Sequence, residues 1–428
     1  MGISPGKKGW VKKYFSIIEN YEEVLNRFPG SILNAEELVY AFLQPTGFLY
    51  GHPTSFVFLE DEYLKKFTPE EAFKILLLEG LVLVDHLKDG QFNMEKLNES
   101  VYRFVDFYEK TNLEKAKKGW LNFSKLDNYG KLESIISQRV EIKANITNKL
   151  VSTYLYNSLL FHDLILYQDF ISVSNSNDLT EKRSEIMLDL VKVVALAANA
   201  DGDISDEEKS VFKVFLASAN LDSERKKIAE TFFEGQQSLH DISFKFEDSW
   251  LLKRYVLEIA ILTIWSDKGA TTSEKQFLDD LTHKLDLKEE DHDNSFIAIQ
   301  SFVLNNQKDV MFLNGKNDVE MVLSGASKRW VKILGRNKDK LAAELKQSKE
   351  LVSLITKSTK KDLSKAEKEK VKTQFYDLAK TIPSLALFML PGGAVILPVV
   401  LKIIPNLIPS AFQENRVEEK KSSEEEEE

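Results

Sequence analysis

The sequence has 428 residues, of which 43% are hydrophobic and 29% charged, as expected for a folded chain of two or three domains. It contains no cysteine, which excludes disulfides, thiolate metal sites and cysteine nucleophiles. The net charge of −10 combines −15 in residues 1–327, +9 in residues 328–380, +1 at Lys402 and −5 in residues 414–428. An acidic body therefore precedes a basic segment.

Helical signals dominate the body. Thr68-Pro69-Glu70-Glu71 places a capping hydroxyl, a proline and a glutamate where a helix begins. The apolar run Ala72–Leu87 follows, and because Glu79 interrupts it, the run predicts a buried core helix instead of a membrane span. No sustained alternation of apolar and polar residues indicates strands. We therefore expect an all-α fold.

Residues 185–290 contain an internal repeat with an offset of 66 residues. Each copy predicts a helix, a short polar turn and a capped helix. Ser205 and Glu208 form the capping box of the first copy, and Thr271 and Glu274 form that of the second. The repeat predicts two helical hairpins packed as a small bundle.

The turn of the first copy is rich in carboxylates. Such oxygen ligands suit a divalent cation, but acids also collect at helix N-termini because they complement the helix dipole and cap it. The stretch from Ala197 to Lys209, AANADGDISDEEK, resembles the TerB-like (tellurite-resistance B) family. That resemblance implies an all-helical module, and a divalent cation as the one cofactor to consider. The candidate ligands are Asp201, Asp203, Asp206, Glu207 and Glu208.

An apolar, proline-rich segment lies near the end of the sequence. Between Thr381 and Gln413 the only charged residue is Lys402. Residues 381–401 are long enough for one membrane span, but Pro391-Gly392-Gly393 would break it. Two short helices, residues 383–390 and 394–404, would form a re-entrant hairpin, and a hairpin buried in protein is the third reading. The candidate membrane residues are Pro383, Pro391, Gly392, Gly393, Pro398, Lys402, Pro405, Asn406 and Pro409.

The run LPVVLKIIPNLIPSAF, residues 397–412, and the capped helix before it resemble the LETM family (leucine-zipper/EF-hand-containing transmembrane proteins) over residues 363–413. The resemblance implies a membrane protein linked to cation/proton exchange, followed by a ribosome-binding-like module. Because only an acidic tail follows, we expect that module not to be present in full. Together with the TerB-like block, the resemblance implies a bacterial relative.

The basic segment 328–380 favours contact with anionic lipid headgroups. A solvated helix face and RNA binding are the alternatives, although its only aromatic residues are Trp330, Phe375 and Tyr376. The segment predicts a cytoplasmic orientation. Residues 414–428 are expected to be disordered.

We therefore expect a soluble multi-helix body that includes the TerB-like bundle, followed by a proline-rich membrane-associated helical segment. No phosphate-binding loop, nucleophile elbow or zinc-protease motif is present, so a non-enzymatic protein is predicted.

The leading hypothesis is a membrane-associated adaptor or ion- and envelope-homeostasis protein at the bacterial inner membrane, with its body facing the cytoplasm. A cation/proton exchanger acting as an oligomer, a ribosome-associated membrane factor and a soluble interaction protein are the alternatives. The expected partners are membrane lipid, a second copy of the chain and the ribosome, but not DNA. The predicted regions are 1–180 (N-terminal helices), 181–292 (TerB-like repeat), 293–380 (basic connector), 381–412 (membrane segment) and 413–428 (acidic tail).

Overall fold

The computed structural model describes residues 2–18, 21–25, 33–89, 96–111, 126–142, 155–172, 179–246, 248–265, 271–306, 319–382, 385 and 393–412. Every regular element in these ranges is a helix, which confirms the all-α prediction. The chain divides into two compact units, residues 1–288 with 307–316, and residues 289–306 with 317–428. The finer regional boundaries drawn from the sequence stay predictions.

The described part of the first unit contains twelve α-helices, joined in places by short 3-10 turns. The helices are α1 (Trp10–Phe15), α2 (Tyr21–Leu25), α3 (Ala35–Leu43), α4 (Pro69–Asp89), α5 (Leu97–Thr111), α6 (Asn128–Val140), α7 (Phe161–Ser172), α8 (Leu179–Ala198), α9 (Asp206–Ser218), α10 (Ser223–Phe233), α11 (Trp250–Ile264) and α12 (Thr272–Lys284).

Helix α4 is the central helix of the first unit. All its residues from Ala72 to Asp85 are buried, and it packs against α3, α6 and α7. At Gly80 a β-carbon would lie 2.4 Å from the Leu164 side chain, so glycine allows α7 to approach closely. The structure thus confirms the predicted core helix.

The one acid in the middle of α4, Glu79, is fully buried and accepts hydrogen bonds from four donors. The Tyr14 hydroxyl donates at 3.0 Å, and the backbone N–H groups of Val57, Phe58 and Leu59 donate at 2.7, 3.1 and 3.3 Å. Glu79 therefore ties α1 and the irregular segment 57–59 to the central helix.

Helix α11 carries a buried ion pair. Arg254 Nε donates to Glu258 Oε1 at 3.0 Å, and both side chains are at most 2% exposed. The hydroxyls of Tyr40 and Tyr50 donate to the two Glu258 oxygens at 2.5 and 2.7 Å. The network satisfies a charge whose burial would otherwise be costly, and it links α3 to α11.

The repeat block folds as predicted at its two turns. Ser205 caps α9 and Thr271 caps α12, with both hydrogen bonds of each capping box formed. Helices α8 and α9 form the first pair and α11 and α12 the second. Helix α10, which the repeat pattern did not predict, lies between the two pairs in sequence and packs on α8.

The described part of the second unit contains six α-helices. They are α13 (Glu289–Asn306), α14 (Val319–Arg336), α15 (Lys338–Gln347), α16 (Lys349–Lys360), α17 (Lys365–Thr381) and α18 (Gly393–Leu407).

The second unit has its own apolar core, to which α13 to α18 all contribute. Charged residues join α13 to α14 at the edge of this core: Asp293 Oδ2 lies 3.2 Å from Lys332 Nζ and 2.9 Å from Arg336 Nη2, and Glu289 contacts the same two cations. Trp330 of α14 is 1% exposed and is the largest side chain of this core.

The structure predicts how Glu79 couples stability to pH. Burial raises its pKa to about 7, against the lowering effect of its hydrogen bonds. A raised carboxyl pKa stabilises the fold fully below about 4.5, and that contribution is lost as the pH rises through about 7. Between these values wild type should lose about 3 kcal/mol of unfolding free energy that the Glu79→Gln variant does not lose. Urea unfolding of both proteins from pH 4 to 8 measures the difference, and a pH-independent difference would contradict the assignment.

Candidate functional site

Helix α18 contains most of the described residues of the proline-rich segment, and its two faces differ. Leu397, Val400, Leu401 and Ile404 are at most 6% exposed and belong to the core of the second unit. The residues i, i+4 and i+8 on the other face, Pro398, Lys402 and Asn406, are exposed. The spacing follows the 3.6-residue period of the helix. One face is therefore covered by protein, and the other is polar or proline.

The partners of the buried face are α13, α14 and α16. Buried residues also continue beyond the helix at Ile408 and Ala411. The apolar content of this segment thus serves a protein core, which corresponds to the third of the readings drawn from the sequence.

Two prolines, Pro398 and Pro405, lie inside α18. Each removes one backbone donor and forces its ring against the preceding turn. Pro398 lies on the exposed face, where water can satisfy the freed carbonyl. Prolines that indicated an irregular membrane segment are therefore accommodated within a helix of a protein domain.

The remaining membrane candidates divide between described and undescribed positions. Gly393 begins α18, and Pro409, just after its end, is exposed. Pro383, Pro391 and Gly392 lie outside the described residues, as does the first arm of the proposed hairpin apart from the buried Leu385. Across the described ranges, no helix combines the length and the apolarity needed to cross a bilayer.

Helix α17 leads into this segment and begins at a complete capping box between Ser364 and Glu367, as predicted. Its buried face consists of Val371, Phe375 and Leu378. One flank faces α16, because Lys370 Nζ donates to Glu350 at 2.9 Å. Further contacts on that flank join Lys357 to Glu367, and Gln374 to Ser348 and Glu350.

The other flank of α17 carries lysines. Lys365, Lys368 and Lys372 are spaced i, i+3 and i+7, which places them on one side of the helix, and Lys361 lies just before it, in the short connection that follows α16. The first two and Lys361 are exposed, and Lys372 is half-buried. Within the described ranges none of the four forms an ion pair. We call Lys361, Lys365, Lys368 and Lys372 the lysine stripe. Glu369 is the acid that follows Lys368 in the same turn.

Two of the three aromatic residues of the basic segment are buried. Trp330 and Phe375 are at most 1% exposed and belong to the core, and the side chain of Tyr376 lies outside the described residues. Among the described side chains, the stripe therefore presents ammonium groups and no aromatic ring on which a base can stack, so these lysines bind through charge.

The acidic turn of the first unit has a different arrangement from the one expected of a cation site. Glu208 is buried and accepts from the backbone N–H and the hydroxyl of Ser205, both at 2.8 Å. Asp201 accepts from the backbone N–H of Asp203 at 3.0 Å, while Asp206 contacts Lys209 at 3.3 Å. Glu207 is half-buried at the start of α9.

These contacts are those of a helix cap and a turn. In the described part of the chain, no three histidine or acidic side chains are grouped as metal ligands. The divalent cation at Asp201, Asp203, Asp206, Glu207 and Glu208 stays a prediction that this geometry does not support.

The sequence reasoning singled out the acidic turn and the prolines but not the individual lysines of the stripe. Their spacing around α17 was visible in the sequence. The position of α16 was not visible in the sequence. That position determines which lysines of α17 form ion pairs with acids.

Comparison with known proteins places a family match on this part of the second unit. Residues 363–428 match the family model described as LETM1-like, RBD. The match begins immediately before the cap of α17 and includes α17, α18 and three of the four lysines of the stripe. No curated protein and no solved structure matches the chain.

The LETM1-like match supports the family resemblance found from residues 363–413. It differs from the sequence-based expectation in the residues that it covers. The sequence led us to expect the ribosome-binding-like module after the proline-rich segment and only in part. The RBD match instead covers that segment itself. The segment therefore belongs to a domain in which apolar residues form a core, whereas the TerB-like resemblance and the bacterial origin stay predictions.

The packing of α18 predicts unequal effects of two neighbouring substitutions. Ile404→Ala removes a fully buried side chain from the core of the second unit and should lower the free energy of unfolding by about 2–5 kcal/mol. Lys402→Ala changes an exposed residue and should stay within about 0.5 kcal/mol of wild type. Chemical unfolding in detergent-free buffer measures both, and equal stability of the two variants would show that protein does not cover this face.

Proposed function

We propose that the protein is a non-enzymatic helical adaptor that binds the ribosome through the LETM1-like part of its second unit. The observation that carries the proposal is the overlap between the RBD match at residues 363–428 and the lysine stripe of α17. The family description suggests the partner, and the stripe supplies a chemistry with which such a partner can be bound.

The ribosome is largely RNA, and its surface presents phosphate groups. Exposed lysine ammonium groups bind phosphates as point charges and release the counterions that surround them. The stripe leaves four such groups without acidic partners among the described residues. Because Trp330 and Phe375 are buried, recognition of unpaired bases by stacking is not expected, and the interaction should follow RNA shape and charge.

The first unit would then bind the second partner of the adaptor. The first unit, residues 1–288 with 307–316, carries a charge of −9, so it is repelled by RNA, which favours the basic segment of the second unit as the RNA-facing side. The TerB-like block would lie in this first unit, and a second copy of the chain is its candidate partner.

Anionic lipid headgroups are the second candidate partner, because the same lysines would attract them at a membrane surface. In that case the protein would lie at the bacterial inner membrane with its body facing the cytoplasm, and a role in ion or envelope homeostasis would follow from the LETM1-like match. Cation/proton exchange is less favoured, since it requires polar groups at membrane depth and the described helices provide no span.

Ribosome binding predicts a steep salt dependence. Four phosphate contacts should weaken binding roughly 50- to 150-fold when the salt concentration rises from about 50 to about 200 mM. The variant K361E/K365E/K368E/K372E should lose most of its binding at the lower salt. Cosedimentation of the full chain with purified bacterial ribosomes measures both effects.

The matched control is K213E/K226E/K227E/K275E, which makes the same charge change at exposed positions of the first unit and should bind as wild type does. Equal binding by the two variants would contradict the proposal. A parallel flotation assay with vesicles containing about one-third anionic lipid separates the candidates: binding to vesicles but not to ribosomes would favour the membrane surface.

A further inference from the structure

The lysine stripe has a second polyanion within reach, and it belongs to the same chain. We propose that the acidic run Glu414–Glu428 docks on the lysine stripe and competes there with the external partner. The docking itself depends only on this chain, whereas the competition rests on the proposed function.

The lysines on the two flanks of α17 differ in their ion pairs. Lys357 and Lys370, on the flank of α17 that faces α16, are engaged by Glu367 and Glu350. Lys365, Lys368 and Lys372 on the opposite flank, and Lys361 in the connection before the helix, form no ion pair with any other described side chain. A row of like charges at one-turn spacing is repulsive by itself, so it is stabilised by any polyanion that follows the helix.

The second argument is charge complementarity. Residues 414–428 contain eight glutamates and three basic residues, and the last five positions of the printed sequence are all glutamate. Residues 1–327 are strongly acidic and residues 328–380 carry +9. Within the second unit, residues 328–380 are therefore the part with the charge to attract this run.

The third argument is reach. Described structure ends at Phe412, in the same unit as the stripe, so no movement between units is needed. The residues from 413 to 428 can extend to at most about 55 Å. A compact unit of about 100 residues has a radius of gyration of about 13 Å, so the run can reach any point on its surface.

Tethering makes weak ion pairs effective. An exposed lysine–glutamate pair adds little by itself, but a short tether holds the acidic run at a millimolar effective concentration beside the stripe. A partner must then supply a denser array of negative charge than the run does. The docked acidic run would therefore favour binding of ribosomal RNA over isolated anions and raise the selectivity of the stripe.

The absence of native cysteines allows a direct test in the full chain. Ala366→Cys on α17 and Ser423→Cys in the acidic run are labelled with a fluorescence donor and acceptor, and energy transfer is recorded from about 20 to about 500 mM salt. Docking predicts high transfer at low salt that falls as salt screens the charges. An undocked acidic run would show the opposite trend, because self-repulsion extends it at low salt and screening compacts it.

Two variants complete the test. K361E/K365E/K368E/K372E and the replacement of Glu424–Glu428 by glutamine should each abolish the high-transfer state, while K213E/K226E/K227E/K275E should keep it. Circular dichroism confirms that each variant is folded. Transfer that rises with salt, or that is unchanged in both variants, overturns the proposal.

Ribosome cosedimentation of the unlabelled Glu424–Glu428→Gln variant then tests the competition. Tighter binding than wild type, by severalfold at about 50 mM salt, is expected. Unchanged ribosome binding alongside a salt-sensitive high-transfer state would overturn the competition and leave the docking in place. No ribosome binding by any form would instead remove the proposed function.

Discussion

The burial of the inner face of α18 against α13, α14 and α16 is the interaction on which the second unit depends. The segment that follows Thr381 supplies buried leucine, isoleucine and valine side chains to this core, and each of the helices before it supplies further apolar residues. If lipid covered this face, α13, α14 and α16 would expose to water the apolar residues that now pack on α18.

The two units also differ in how their charged side chains are paired. In the first unit the buried carboxylates of Glu79 and Glu258 each accept hydrogen bonds from several donors, so these two acids serve structure. In the second unit, acids of α13 and α16 form ion pairs with lysine and arginine, whereas the stripe lysines form none with the described side chains. This excess of cations on α17, at the start of the LETM1-like region, is what makes the second unit the candidate binding surface. The acidic run after α18 gives the excess a counterpart within the chain.

The local elements of the fold could be predicted from the sequence, because their signals are local. The capping boxes at Ser205, Thr271 and Ser364, and the core helix around Glu79, depend on residues within one or two turns. The environment of the proline-rich segment could not be predicted in this way. A run of apolar residues has the same composition whether lipid or protein covers it. The question is decided by the partners of α18, of which α13 and α14 begin 104 and 74 residues before it. The lysine stripe was missed for a related reason: α16 determines which flank of α17 is neutralised.

The most direct test of this account is amide hydrogen exchange in peptides that cover Leu397–Leu407, measured in detergent-free buffer with and without anionic vesicles. Because protein covers the inner face of α18, the account predicts slow exchange without lipid, comparable to that of α14, and no further slowing when vesicles are added. Rapid exchange in buffer that becomes slow only in the presence of vesicles would contradict it.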